Sequence, residues 1–223
     1  MTKAIILLSG GLDSTVILAL ALAQGKTCYA ISFNYGQRHL IELEAAKKIT
    51  TYYQVTHKII HIDPSAFGMS SLVSNNNSNS SHLKMPENRS PAEIEQQGIP
   101  NTYVPARNTL FLAYALGQCE LEKAQEIHFG PNKMDYTGYA DCRPAYLEVF
   151  QTLMNLATKQ AIEGSPPRLV IPLLHWDKTE IIRQGLALKA PLNMTLSCYN
   201  PQKSKPCEQC DACVLRRDGF SKL

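Results

Sequence analysis

The sequence predicts an α/β domain built on a doubly wound parallel sheet of five strands, followed by a small cysteine-rich appendage. Three observations carry that expectation. Short apolar runs alternate with amphipathic segments along most of the chain, the first run passes through a glycine pair into a helix, and four of the seven cysteines crowd the C-terminus. Residues 4–8 are wholly apolar and read as a buried strand, and the apolar segment beyond Ser14 reads as a helix to about Ala23. Gly25 and Lys26 turn the chain into a second strand at 27–33. A helix over 40–49 and a third strand over 55–62 repeat the unit. Residues 126–130 and 168–174 supply the fourth and fifth strands, with helices over 109–119 and 143–163. Asp177-x-x-Glu180 is a capping-box pattern that opens a last helix over 178–189.

Residues 64–101 interrupt this alternation. Ser70, Ser71 and the serine and asparagine run from Ser74 to Ser81 offer little apolar surface, and Pro86, Pro91 and Pro100 bracket the rest. The segment reads either as a disordered surface insertion or as a lid that orders over a substrate. The organisation expected is therefore a domain over 1–190 carrying this insertion, and a C-terminal segment over 191–223.

A chain of 223 residues suffices for one large domain with an appendage. Net charge is +3 and only 18% of residues are charged, a balance that argues against an electrostatically driven nucleic-acid binder and favours small ligands. The first apolar stretch is too short to span a membrane and lacks a cleavage-site pattern, so a soluble, cytoplasmic location with no membrane partner is expected. Seven cysteines suit a reducing compartment with one metal site better than a disulfide framework.

The chemistry is concentrated in a few stretches. Ser9-Gly10-Gly11-Leu12-Asp13-Ser14 joins the first strand to the first helix. Its glycines let backbone N–H groups approach an anion, and the helix N-terminus presents more of them, so a polyphosphate is the expected guest. There is neither G-x-x-x-x-G-K-[ST] nor G-x-G-x-x-G here, which excludes a Walker loop and gives no sign of a dinucleotide cofactor. The loop resembles the pyrophosphate loop of ATP pyrophosphatases, which implies attack at the α-phosphorus and AMP transfer. In such sheets ligands collect beyond the carboxyl ends of the strands, so residues 9–14, 34–39 and 130–143 should share one cleft. Arg107 and Asn108 stand at a helix opening, placed to face a phosphate or carboxylate. Tyr139, Asp141 and Arg143 fill one short loop with groups that can stack on a flat heterocycle, accept from its N–H edge and pair with an acid. Cys198, Cys207, Cys210 and Cys213, spaced C-x8-C-x2-C-x2-C, can surround one tetrahedral Zn²⁺ with no open position, a structural site; an iron–sulfur cluster is the competing reading.

Taken together, the loop at 9–14, the block at 103–108, Gly138-Tyr139-x-Asp141-Cys142-Arg143-Pro144 and Ser197-Cys198-Tyr199 with the later cysteines resemble the 7-cyano-7-deazaguanine synthase family of the queuosine pathway. The match runs nearly end to end. Leu12 at an often polar spot and Ala140 where proline is expected are its two departures. The resemblance implies a Rossmann-like sheet and ATP with Mg²⁺ bound along Leu8, Ser9, Gly10, Gly11, Leu12, Asp13, Ser14, Thr15, Val16, Ile17 and Leu18. It further implies one structural Zn²⁺ on Cys198, Cys207, Cys210 and Cys213, and a homodimer. The implied reaction joins a 7-deazaguanine acid to ammonia through adenylated acid and amide. Ser9, Asp13, Ser14 and Arg107 are the catalytic candidates, and Tyr139, Asp141 and Arg143 the substrate contacts. His39, Tyr35 and Asp135 remain open as the general base, and a tRNA-thiolating enzyme or another adenylating amide ligase remain the alternatives.

Overall fold

The computed structural model describes residues 1–37, 40–67, 70–73, 84–96, 98–202 and 205–223. Its strands are β1 (Lys3–Leu7), β2 (Thr27–Asn34), β3 (Thr56–His61), β4 (Glu126–His128) and β5 (Arg168–Val170). They form one parallel sheet in the order β3-β2-β1-β4-β5. The order reverses between β1 and β4, so the crossovers on either side diverge and leave a crevice at the carboxyl ends of these two strands.

Alternation along β1 decides the layers. Ala4, Ile6 and Leu8 face one side, with α1 (Leu12–Ala23), α2 (Ile41–Tyr53) and α8 (Lys178–Ala187) packed there through Val16, Ile17, Ile49, Ile181 and Ile182. Ile5 and Leu7 face the other, against α4 (Arg107–Glu122) and α6 (Pro144–Ala157) through Leu112, Leu116, Leu147, Phe150 and Met154. Each such buried aliphatic or aromatic side chain contributes about 1.5–3 kcal/mol. The expected doubly wound five-stranded sheet is therefore the observed fold.

Several boundaries differ from expectation for identifiable reasons. β5 ends at Val170 rather than 174, just ahead of Pro172, which has no N–H for a ladder. The helix expected over 143–163 is two helices, because Thr158 takes extended backbone and its hydroxyl caps α7 (Lys159–Ile162) through Ala161 N–H. The helix starts where the capping-box pattern put it, with the N-cap half of the box formed by Asp177 Oδ1 accepting from Glu180 N–H at 2.8 Å, while the Glu180 carboxylate accepts from Arg183 and Gln184 instead. The insertion holds more structure than its composition suggested. Phe67 and Val73 join the core, Ser70 and Ser71 are fully buried, and the Ser70 hydroxyl donates to Thr102 O at 3.2 Å. Further on, α3 (Pro91–Gln96) lies against α9 (Asp211–Ser221), and Arg89 pairs with Asp211. The Ser74–Ser81 run lies outside the described residues.

At the amino end of the sheet, opposite the crevice, Glu126 is almost fully buried and bonded to Lys26 at 2.7 Å, Arg168 at 2.6 Å and His128 at 2.8 Å. Burial raises its pKa, but the three partners outweigh that and hold the carboxyl down to about 2. A depressed folded-state pKa stabilises the protein fully above the carboxylate's ordinary range, and that contribution is lost as pH falls toward about 2. Glu126→Gln is expected to cost about 3 kcal/mol at neutral pH. It should also flatten the acid side of the stability curve, checked by urea unfolding between pH 7 and pH 3.

Candidate functional site

A cavity of about 340 Å³ occupies the crevice, lined from the ends of β1, β2 and β4 and from α1, α2, α4, α8 and the C-terminal segment. Its floor is the phosphate loop. Gly10 has φ +87°, and a Cβ there would lie 2.2 Å from Glu42 O and 2.8 Å from Ala46 N, so only glycine lets α2 rest on the loop. Gly11 begins α1 with no side-chain cap of its own. Ser14 Oγ accepts from Ser9 N–H at 3.2 Å and stands 3.1 Å from Ser9 Oγ, which fastens the loop back onto the first helical turn. The positive end of α1 therefore opens toward the cavity, with serine hydroxyls beside it.

Asp13 faces Lys178, whose Nζ donates to both carboxylate oxygens at 2.6 and 2.8 Å, while Asn132 Nδ2 donates at 2.8 Å. Lys178 occupies the first turn of α8, the helix that the capping box starts, and this position brings its ammonium to the phosphate loop. Asp135 is half-buried near Asp13; desolvation first, then the neighbouring carboxylate, push its pKa up to about 6. Another part of the lining holds Arg107. Its guanidinium donates to Tyr35 Oη at 3.3 Å and lies 5.9 Å from the ring centres of Tyr35 and Phe111, and its Nε is buried without a partner among the described residues. A permanently charged fork with an unused donor suits an anionic guest. Glu42 lines the same wall, with burial pushing its carboxyl up to about 7 against the pull of Arg107 and of a hydrogen bond from Gln37. Tyr139 and Tyr199 complete the lining, and Tyr139 Oη shares a 2.9 Å hydrogen bond with Thr102.

The four C-terminal cysteines come together. Their Sγ atoms all lie within 4.8 Å of one another, with Cys210 and Cys213 buried. Backbone N–H groups point at the sulfurs: Cys207 and Asn200 donate to Cys198 at 3.2 and 3.4 Å, Tyr199 to Cys210 at 3.4 Å, and Cys210 to Cys207 at 3.4 Å. Such donors favour thiolates over thiols. Zinc–sulfur bonds of about 2.3 Å at tetrahedral angles place the sulfurs about 3.8 Å apart, within the observed spread. The set fits one ion, whereas an iron under each thiolate would hold the sulfurs further apart.

Comparison with known proteins decides the family. The model of the family described as queuosine biosynthesis protein QueC matches residues 3–223. This chain belongs to the QueC family. Among QueC relatives, 7-cyano-7-deazaguanine synthase of Kineococcus radiotolerans is 45% identical over 221 residues, covering 98% of this chain and 93% of the relative. The synthase of Cellvibrio japonicus is 46% identical over 222 residues, covering 99% and 93%. An NMN synthetase structure from Francisella tularensis superposes with a TM-score of 0.51 at 16% identity, over 93% of this chain and 70% of that one, a likeness of fold.

Within this QueC chain the candidates from sequence separate into groups. Leu8, Ser9, Gly11, Leu12, Asp13, Ser14, Arg107, Tyr139 and Cys198 line the cavity, as do Tyr35 and Asp135. Gly10 lies under α2, and Thr15, Val16, Ile17 and Leu18 are buried behind the first turn of α1, where their side chains fill the core. Asp141 is absent from the lining because its oxygens accept from Asn108 N–H at 3.0 Å and Asn108 Nδ2 at 3.2 Å, which caps α4. Arg143 is exposed and outside the lining: the 3-10 turn Ala140–Cys142 buries Asp141 and Cys142, so the next side chain points outward at the start of α6. His39 lies outside the described residues. Sequence reading missed Lys178 and Glu42, which look like an ordinary first-turn lysine and a solvated helix glutamate. No helix among the described residues is long and apolar enough to cross a membrane. Cys210→Ser should lose the bound metal and lower the melting temperature, measured by elemental analysis and calorimetry on one preparation; a stable, metal-replete variant refutes the structural role.

Proposed function

We propose that this chain is an ATP-dependent carbon–nitrogen ligase that converts 7-carboxy-7-deazaguanine and ammonia into 7-cyano-7-deazaguanine. The observation that carries the reading is one cavity lined together by the α1 N-terminus, Lys178, Arg107 and the aromatic side chains Tyr35, Phe111, Tyr139 and Tyr199. That arrangement supports a triphosphate at one end and a flat acid at the other. It accords with the name 7-cyano-7-deazaguanine synthase given to the relatives.

The chemistry then runs twice. A carboxylate oxygen of the acid attacks the α-phosphorus and expels pyrophosphate, which the N–H groups of the loop, Ser9, Ser14 and Lys178 stabilise as charge accumulates on it. Arg107 orients the acid toward that phosphorus. Ammonia attacks the acyl carbon, AMP leaves and a proton is released, giving the amide. The amide oxygen attacks a second ATP in the same way, and loss of AMP and the remaining N–H protons gives the nitrile. Asp13 and Asp135 are the carboxylates that would hold Mg²⁺ against the phosphates, and Tyr139 and Tyr199 would stack on or hydrogen-bond the ring. Zn²⁺ on Cys198, Cys207, Cys210 and Cys213 would supply a cross-link rather than chemistry, since four protein ligands leave no open position. We read residues 1–190 as the catalytic unit and 191–223 as its metal-braced closure. For the homodimer, exposed Leu110, Tyr114 and Leu121 of α4 beside the β3 edge offer an apolar face.

The test mixes pure protein with ATP, Mg²⁺, ammonium and 7-carboxy-7-deazaguanine and follows the nitrile mass together with AMP. ADP in place of AMP, or nucleotide cleavage indifferent to the acid, refutes the proposal. Lys178→Met should lower kcat/KM for ATP by about 100-fold, the scale of losing one preorganised charge-stabilising donor, while far-ultraviolet circular dichroism stays unchanged.

A further inference from the structure

We infer that Glu42 is the catalytic proton acceptor for the attack of ammonia on the activated acid, an inference that rests on the ligase reading. Its place is set by the fold. Glu42 belongs to the first turn of α2, whose backbone lies directly over Gly10, so the carboxylate enters the cavity beside the phosphate loop and on the same wall as Arg107. Oε1 accepts from Gln37 Nε2 at 3.1 Å; Oε2 has no protein partner among the described residues. One oxygen is thus anchored and the other is open to accept a proton.

The other carboxylates of the cavity are committed elsewhere. Asp13 is held by Lys178 and Asn132. Asp135 accepts from Asn132 N–H at 2.9 Å and lies beside Asp13, at the end of the cavity given to pyrophosphate. Among the described residues, the charged and titratable groups that face Glu42 are Arg107 from α4 and Tyr35 from the β2–α2 connection. Arg107, the group that would hold the acid, is an electrostatic neighbour of both Asp135 and Glu42. The step balances: the ammonia lone pair forms the C–N bond, the C–O bond to AMP breaks with its electron pair, and the proton released from nitrogen goes to Glu42 Oε2. Burial brings the carboxyl to about 7, so its basic form accumulates above that pH and is withdrawn below it.

The experiment separates the two half-reactions for wild type, Glu42→Gln and Glu42→Asp, at fixed concentration of un-ionised ammonia. Acid-dependent exchange of labelled pyrophosphate into ATP reads adenylation, and amide formation reads the attack. For Glu42→Gln, exchange should remain within about threefold while amide formation falls at least 100-fold, the lower end of a general base's contribution. The wild-type decline below about pH 7 should vanish with it. Glu42→Asp keeps a carboxylate, so it should keep that decline at a reduced rate. A glutamine variant that retains rate and pH profile, or that loses both half-reactions equally, overturns the assignment. If Glu42→Gln does not fold, an aspartate variant without the acidic decline does the same. Absence of acid-dependent exchange in the wild type would instead defeat the ligase reading itself.

Discussion

The architecture at the cavity floor depends on the missing side chain at Gly10. Its φ of +87° belongs to a region that costs an L-residue about 1–2 kcal/mol, and any Cβ would overlap the backbone of α2 at Glu42. Because neither obstacle exists, the N-terminal turns of α1 and α2 converge on the end of β1. The same residue's carbonyl accepts from Leu196 N–H at 3.0 Å, so the first loop and the C-terminal segment meet there as well. A phosphate site, the wall that carries Glu42 and the closure by residues 196–199 thus share one backbone contact point.

That closure gives the cysteine site its reach. Ser197 Oγ accepts from Leu12 N–H at 3.3 Å, Cys198 follows at once, and Tyr199 lines the cavity. Arg216 of α9 ties the approach together by donating to Thr195 Oγ1 at 2.6 Å and Leu192 O at 2.8 Å. The insertion joins the same assembly, since Asn88 N–H donates to Gln209 O at 2.8 Å and Arg89 pairs with Asp211, between the last two cysteines. A metal held by the four thiolates therefore restrains the N-terminus of α1 and the insertion without touching either. Its contribution is the placement of groups that sequence order keeps nearly two hundred residues apart.

How much of this was legible follows from which signals are local. The strands were readable because sheet burial on both faces forces continuous apolar composition, as in Ala4 to Leu8, and the phosphate loop because glycine at Gly10 is a steric necessity. The cysteines were readable because metal ligation needs particular atoms at close quarters. Ser70 and Ser71 were misread because composition counts apolar surface, whereas a buried serine needs only a partner, here Thr102 O and Asn101. The placement of Asp141 and Arg143 away from the cavity lining was not legible because a half-turn of 3-10 helix decides which of three adjacent side chains faces inward. Lys178 and Glu42 escaped because their meaning comes from crossovers that lay α8 and α2 against the loop, long-range facts without a local pattern.

The cavity also explains how one set of acidic groups can serve two tasks. Asp13 and Glu42 are both first-turn residues of helices that end at the same loop, and sequence alone gives no reason to separate them. Their surroundings do. Asp13 meets an ammonium and an amide and becomes part of the charged lining at the phosphate end, while Glu42 meets a neutral amide and a guanidinium already stacked on Tyr35 and Phe111. In the second environment desolvation dominates and the proton is exchangeable near neutrality. The proposed reaction, which must bind a polyanion and also remove protons from nitrogen, needs both. Arg107 is an electrostatic neighbour of both Asp135 and Glu42, so under the proposed reaction the group that would hold the acid is shared by the phosphate lining and the proton acceptor.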